Sequence, residues 1–187
     1  MFEYLRTDLR RLSELKGRGS RPGLRFTVES LLFDSGFQAV ALHRLAHVFK
    51  RRKIPFLGPA IGRICQWLTG VEIAPGARIG PGLVISHGQG IVVGQWSVLG
   101  RSCHLHQQVT LGAKDVGRIE EMPRLGDRVV VGAGAKLIGG IVVGDGAIVG
   151  PNAFVTTDVP AGGKARAPRA EVRGPRSAEA PQSRRPS

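Results

Sequence analysis

"VVVGAGAKLIGGIVVGDGAIVGPNAFV", residues 129–155, is the stretch that decides the fold. Val131, Leu137, Val143, Val149 and Val155 recur in it every six residues, and Val129, Ala135, Ile141, Ala147 and Ala153 stand two residues ahead of them. A period of six suits neither an α-helix nor an isolated hairpin. It suits short strands that turn a corner and stack coil on coil, with the larger aliphatic residue pointing inward and the smaller one near the corner.

The beat extends toward the N-terminus through Leu125, Leu111, Leu105, Leu99, Val93, Ile85, Ile79 and Ile73, so thirteen positions are all Ile, Leu or Val. The second series continues as Pro123, Val109, Cys103, Ser97, Ile91, Leu83, Ala77 and Val71. Cys103 therefore reads as a small buried hydrophobe. The spacing breaks twice. Between Leu111 and Leu125 it is fourteen, which expels "AKDVGRIEEMP" as an external loop over residues 113–123. Between Ile85 and Val93 it is eight, and His87 sits inside that slip. Loops and irregularities on a regular scaffold are where function concentrates.

Outside the repeat the pattern is helical. Phe2, Leu5, Leu9 and Leu12 predict a helix over 2–16. Ser35 precedes another, with Phe37, Ala41, Leu45 and Val48 on one face, and a third is expected from about Gly58 to Leu68. His43 and His47 are four apart on a helix, a spacing open to metal ligation, but with no carboxylate motif beside them a structural role weighs more. The expected organisation is a helical region over 1–70, a repeat domain over 71–161 and a basic, disordered tail over 162–187.

The net charge of +13 is uneven. Residues 71–161 hold seven basic and seven acidic side chains, and the excess lies at the two ends. A nucleic-acid-binding core would gather that charge on its own surface, so no nucleic-acid partner is expected. The basic ends read as solvated faces rather than a membrane or polyanion site. "MFEYLRTDLRR" lacks the apolar core of a secretory signal. No run reaches the roughly 20 apolar residues that span a bilayer. With two distant cysteines and no disulfide framework, the cytoplasm is the expected location.

"GVEIAPGARIGPGLVISHGQGIVVG", "VTLG" and "GAGAKLIGGIVVGDGAIVGPNAFV" together resemble the hexapeptide-repeat acyltransferases, and within them the serine acetyltransferase branch. The resemblance covers about residues 36–160. It implies an α+β, mainly β fold, a left-handed parallel β-helix preceded by a small α-helical region, assembled as a homotrimer or a dimer of trimers. It also implies an acetyl-CoA-dependent O-acetyltransferase that needs no metal. The histidine matching the family's general base is His87, which would take the acceptor hydroxyl's proton as oxygen attacks the thioester. An imidazole, with an ordinary pKa of about 6.5, is matched to that task near neutral pH. Glu72, fifteen residues earlier, stands where the branch has an Asp that orients the ring. Gly112, Ala133 and Pro151 match positions along the pantetheine arm. Lys136 and Arg166 are candidates for the coenzyme phosphates. His104 and His106 flank Leu105 and should point outward. With His87 they suggest zinc, but the spacing departs from that of the β-helical carbonic anhydrases.

At the acceptor end the sequence departs from the branch. Ser86 replaces an Asp beside the base, and Glu121 and Met122 replace an Arg-His pair before the loop proline. The charges that grip an amino acid are missing there, so the sequence predicts another hydroxyl acceptor, a saccharide or specialised metabolite, with free L-serine a poor substrate. The alternatives are a genuine serine O-acetyltransferase with a rearranged acceptor site and, in another class, a non-catalytic trimeric scaffold.

Overall fold

The computed structural model describes residues 1–169. Four helices lead the chain: α1 (Phe2–Leu15), α2 (Leu24–Phe33), α3 (Ser35–Arg51) and α4 (Leu57–Thr69). A parallel solenoid of about five coils follows, consistent with the left-handed β-helix. Its first face stacks β1 (Glu72–Ile73), β4 (Val92–Val93), β7 (Thr110–Gly112), β10 (Lys136–Ile138) and β13 (Phe154–Val155). The second stacks β2 (Arg78–Ile79), β5 (Val98–Leu99), β8 (Arg124–Leu125) and β11 (Val142–Val143). The third stacks β3 (Val84–Ser86), β6 (His104–His106), β9 (Val130–Val131), β12 (Ile148–Val149) and β14 (Lys164–Ala165).

The beat residues lie one above another. Ile73 pairs with Val93, Val93 with Leu111, Leu111 with Leu137 and Leu137 with Val155. All thirteen are buried, as is the smaller series two residues ahead. Uniform columns of this kind let each coil template the next.

Two of the three edges turn through a left-handed residue placed three before the beat. Gly82, Ser102, Arg128, Gly146 and Gly162 form one such column. Gly90, Gln108, Gly134 and Asn152 form the other, at the edge where the third face turns into the first.

The helices close the first coil through one buried ion pair. Arg44 of α3 meets both carboxylate oxygens of Asp8 of α1 at 3.1 Å. It also donates to the carbonyls of Ile79 and Gly80 at 2.5 and 2.7 Å. Asp8 in turn accepts from the backbone N–H groups of Gly82 and Leu83 at 2.7 and 3.0 Å. Burial pushes the Asp8 carboxyl up, while Arg44 and these N–H groups pull it down. Leu9, Leu12, Phe26, Phe37 and Val84 pack into a small second core beside the pair.

Two features differ from the sequence reading. Helix α2 is absent from the expected helices: Leu24, Val28, Leu31 and Leu32 stand at helical spacing, but they and Phe33 are exposed, and only Phe26 and Ser30 are buried. The solenoid also runs past residue 161. Buried Val159 bridges to Val143 on the second face four residues after Val155, and Lys164–Ala165 then pairs with Ile148–Val149 on the third. The disorder expected of the tail lies, from residue 170 onward, outside the described residues. No helix among the described residues is long and apolar enough to cross a membrane.

Candidate active site

His87 follows β3 on the edge between the third and first faces. Its φ is 55°. Four other non-glycine residues of the solenoid share a left-handed backbone, Ser102, Gln108, Arg128 and Asn152, and all four fall in the two corner columns. His87 falls in neither. The two extra residues of the slip add a second left-handed position to a corner that already has one at Gly90. A non-glycine residue there costs about 1–3 kcal/mol and persists where its surroundings over-determine it. The turn is tight: Gln89 N–H reaches the His87 carbonyl at 2.6 Å. A Cβ on Gly88 would lie 2.6 Å from Val71 Cγ2, so only glycine fits beneath the imidazole. The slip therefore lifts an exposed imidazole off the wall of the prism.

The outer surface of the third face beside it is polar. A 2.8 Å hydrogen bond joins Ser86 Oγ to His104 Nε2. The rings of His104 and His106 stack with centroids 4.5 Å apart. Burial, then His106 and Arg11, lowers the His104 pKa to about 4. Burial and the neighbouring His87 lower that of His106. His104 is thus neutral at pH 7 and holds Ser86 in place. Among the described residues no three His, Cys, Asp or Glu side chains gather as a group that could hold a metal ion.

A cavity of about 320 Å³ opens beside His87 and Ser86, closed by the α1 and α2 ends and the α3 start. Lys16, just past α1, and Asp34, the N-cap of α3, both line it and form a 2.6 Å ion pair. The other Asp34 oxygen accepts from Phe37 N–H at 2.8 Å. Helix α3 comes this close because its second residue is Gly36: a Cβ there would lie 2.1 Å from the Ile85 carbonyl oxygen. Sequence reading missed Lys16 and Asp34. The available signal was the capping pattern, an Asp immediately before the predicted helix at Ser35.

The candidate coenzyme positions cluster along the His87 edge. Ala133 and Pro151 are turn residues there in higher coils, and Asn152 N–H donates to the Ala133 carbonyl at 2.8 Å. Lys136 starts the strand just beyond the edge, and its Nζ donates to the Gln108 carbonyl at the same edge. Gly112 pairs with Ile138 on the adjoining first face. Arg166 is exposed directly after β14, at the top of the edge. These small and basic residues run up one side of the prism from His87, a course that suits an extended ligand ending in phosphates.

Glu72 starts β1 in the same register column as Val92, Thr110 and Lys136, beside the His87 edge, whereas Glu121 and Met122 are placed elsewhere in this chain. The Glu72 carboxylate is exposed and accepts from Gln66 Nε2 of α4 at 2.9 Å, with no hydrogen bond to His87 among the described residues. Met122 folds onto the edge between the first and second faces, where Trp96 N–H meets its sulfur at 3.3 Å. Glu121 pairs with Arg118 at 3.7 Å. His43 is buried and its pKa falls to about 3 through burial, then Arg44 and His47. His47 Nδ1 lies 2.9 Å from the Pro75 carbonyl oxygen. Both are built into the packing of α3 on the first coil.

Comparison with known proteins adds relatives to this geometry. A family model described as bacterial transferase hexapeptide (six repeats) matches residues 122–157. The serine acetyltransferase of Helicobacter pylori strain 26695 is 41% identical over 144 residues, 77% of this chain and 84% of that protein. A soybean serine acetyltransferase solved in complex with serine superposes with a TM-score of 0.79 at 34% identity, covering 88% of this chain and 68% of that one. A Brucella abortus serine acetyltransferase in complex with coenzyme A gives 0.78 at 29% identity, over 86% and 62% of the two chains. These relatives overturn the expectation of a non-serine acceptor, because the identity spans nearly the whole Helicobacter enzyme. That expectation rested on charges missing at Ser86, Glu121 and Met122. In this chain Glu121 and Met122 lie at another edge, while Ser86 stays beside His87 in a cavity that a cation and an anion line. By sequence and by structure, the chain belongs to the serine acetyltransferase family, acetyl-CoA-dependent O-acetyltransferases built on the hexapeptide repeat.

Proposed function

We propose that this protein transfers the acetyl group of acetyl-CoA to the hydroxyl of L-serine, with His87 as the general base. The observation that carries the mechanism is His87 itself, a left-handed residue outside the corner columns, facing a cavity. The serine oxygen attacks the thioester carbonyl while His87 takes the hydroxyl proton. The tetrahedral intermediate collapses, the C–S bond breaks, and the imidazolium returns the proton to the departing thiolate. O-acetylserine and CoA leave. Ser86, fixed by His104, presents a hydroxyl next to the base. The pantetheine arm lies along Gly112, Ala133 and Pro151, with Lys136 and Arg166 toward the phosphates. Glu72 orients the imidazole in this reading, one of its carboxylate oxygens also accepting from Gln66.

The working particle is a homotrimer with its sites between prisms, and no metal takes part. Two buried, unpaired cysteines fit a reducing cytoplasm. Steady-state thiol release from acetyl-CoA with L-serine tests the activity: kcat/KM of about 10⁴ M⁻¹s⁻¹ or more is expected, unchanged by a chelator. Serine-independent hydrolysis alone, or release only with another alcohol, overturns it.

A further inference from the structure

We infer that Lys16 and Asp34 are the specificity residues that recognise the acceptor's two charged groups. The inference rests on the proposed serine acetyltransferase activity and deepens it. Three observations meet in one place. The pair lines the same cavity as Ser86 and His87. It is a single cation against a single anion, 2.6 Å apart. The Asp34 side chain is largely covered while Lys16 remains half exposed, so the lysine can swing away without moving the backbone. An empty site lined this way satisfies its own charges.

A free amino acid carries the complementary pair, an ammonium and a carboxylate on one carbon. On entry the ammonium replaces the Lys16 contact on Asp34, and the carboxylate takes the released Lys16 Nζ. The start of α3 also lines the cavity, and its positive end favours the carboxylate. With both groups held at the helices, the β-hydroxyl points toward the solenoid wall, where His87 stands. Gly36 is part of the arrangement, because its contact with Ile85 sets the α3 start against the third face. The helices thus supply recognition and the prism supplies the base.

The test uses the full chain and three acceptors: L-serine, 3-hydroxypropionate, which lacks the ammonium, and ethanolamine, which lacks the carboxylate. Asp34→Asn keeps an equally good helix cap, and Lys16→Met keeps the aliphatic stem. Asp34→Asn is expected to raise KM for L-serine about 10- to 100-fold, the usual worth of a charged hydrogen bond, and to leave 3-hydroxypropionate unaffected. Lys16→Met should do the same for L-serine and leave ethanolamine unaffected, with Lys16→Arg restoring much of the loss. Melting temperatures and coenzyme affinity should match the parent's. Equal losses on all three acceptors, or unchanged L-serine kinetics, overturn the assignment. A parent enzyme that turns over L-serine while both variants do so equally well sinks this inference alone. A parent inert toward L-serine overturns the activity, and the inference with it.

Discussion

A histidine at φ 55° is held against its own backbone preference, and glycine would relieve that strain. Chemistry and stability should therefore separate at this residue. His87→Ala is expected to lower kcat at least about a hundredfold with coenzyme affinity nearly intact, since a base acts chiefly in the transition state. His87→Gly should be equally inactive but more stable than His87→Ala, by up to about 1 kcal/mol. Denaturant melts of the two variants beside turnover assays check both halves. Glu72→Gln should cost less than His87→Ala, because it removes orientation and charge but leaves the base. Parallel kinetics of the two variants read the difference. At Gly36 the demand is steric. Gly36→Ala places a methyl 2.1 Å from the Ile85 carbonyl oxygen, and a loss of about 1–3 kcal/mol is expected on urea unfolding. The His87 region was legible in the sequence because a strict beat makes any slip visible. Lys16 and Asp34 were not, because they lie 18 residues apart in separate elements and meet only through a helix turn and packing.

Among the elements, the solenoid could be read almost strand by strand. Each inward position has the same kind of neighbours above and below, so composition repeats with structure. The helices obeyed a weaker rule. Helices α1 and α3 each bury one side, whereas α2 and α4 leave much of their apolar spacing open: Leu24, Val28, Leu31 and Leu32 in α2, and Leu57, Ile64, Trp67 and Leu68 in α4. Helix α2 is also short, ten residues, and has no side-chain cap, so it is the one absent from the sequence reading. What fastens α1 is polar as well as apolar. Asp8 bridges Arg44 and two backbone N–H groups of the first coil. Asp8→Ala leaves a buried guanidinium without its partner, and breaking such a pair costs about 3–5 kcal/mol. Urea unfolding should show that loss. Because α1 ends at Lys16, the KM for L-serine should rise as well.

For the whole molecule, acid should loosen the fold through its buried histidines. His43 is held to about 3 and His104 to about 4, both below the ordinary 6.5. The unfolded chain binds those protons first, so the stabilisation is complete above about pH 6.5 and is lost as pH falls toward 4 and then 3. Asp8, with its carboxyl raised by burial, works in the opposite sense near its own pKa. Calorimetry from pH 7 down to 4 should show a falling melting temperature, and His43→Leu should flatten the slope. A slope unchanged in that variant would remove His43 from the account. The parallel stacking also bears on how the chain is made. Every strand after the first coil pairs with one that precedes it in sequence, as Val92 does with Glu72 and Phe154 with Lys136. A chain emerging from the ribosome can lay down each coil on a finished one, with no strand waiting for a partner still to be synthesised. The helices are the exception, Asp8 among them, whose N–H donors at Gly82 and Leu83 appear only when the first coil does. The N-terminal helix is thus made first and latched later, and the acceptor cavity is completed only after the surface bearing its base has formed.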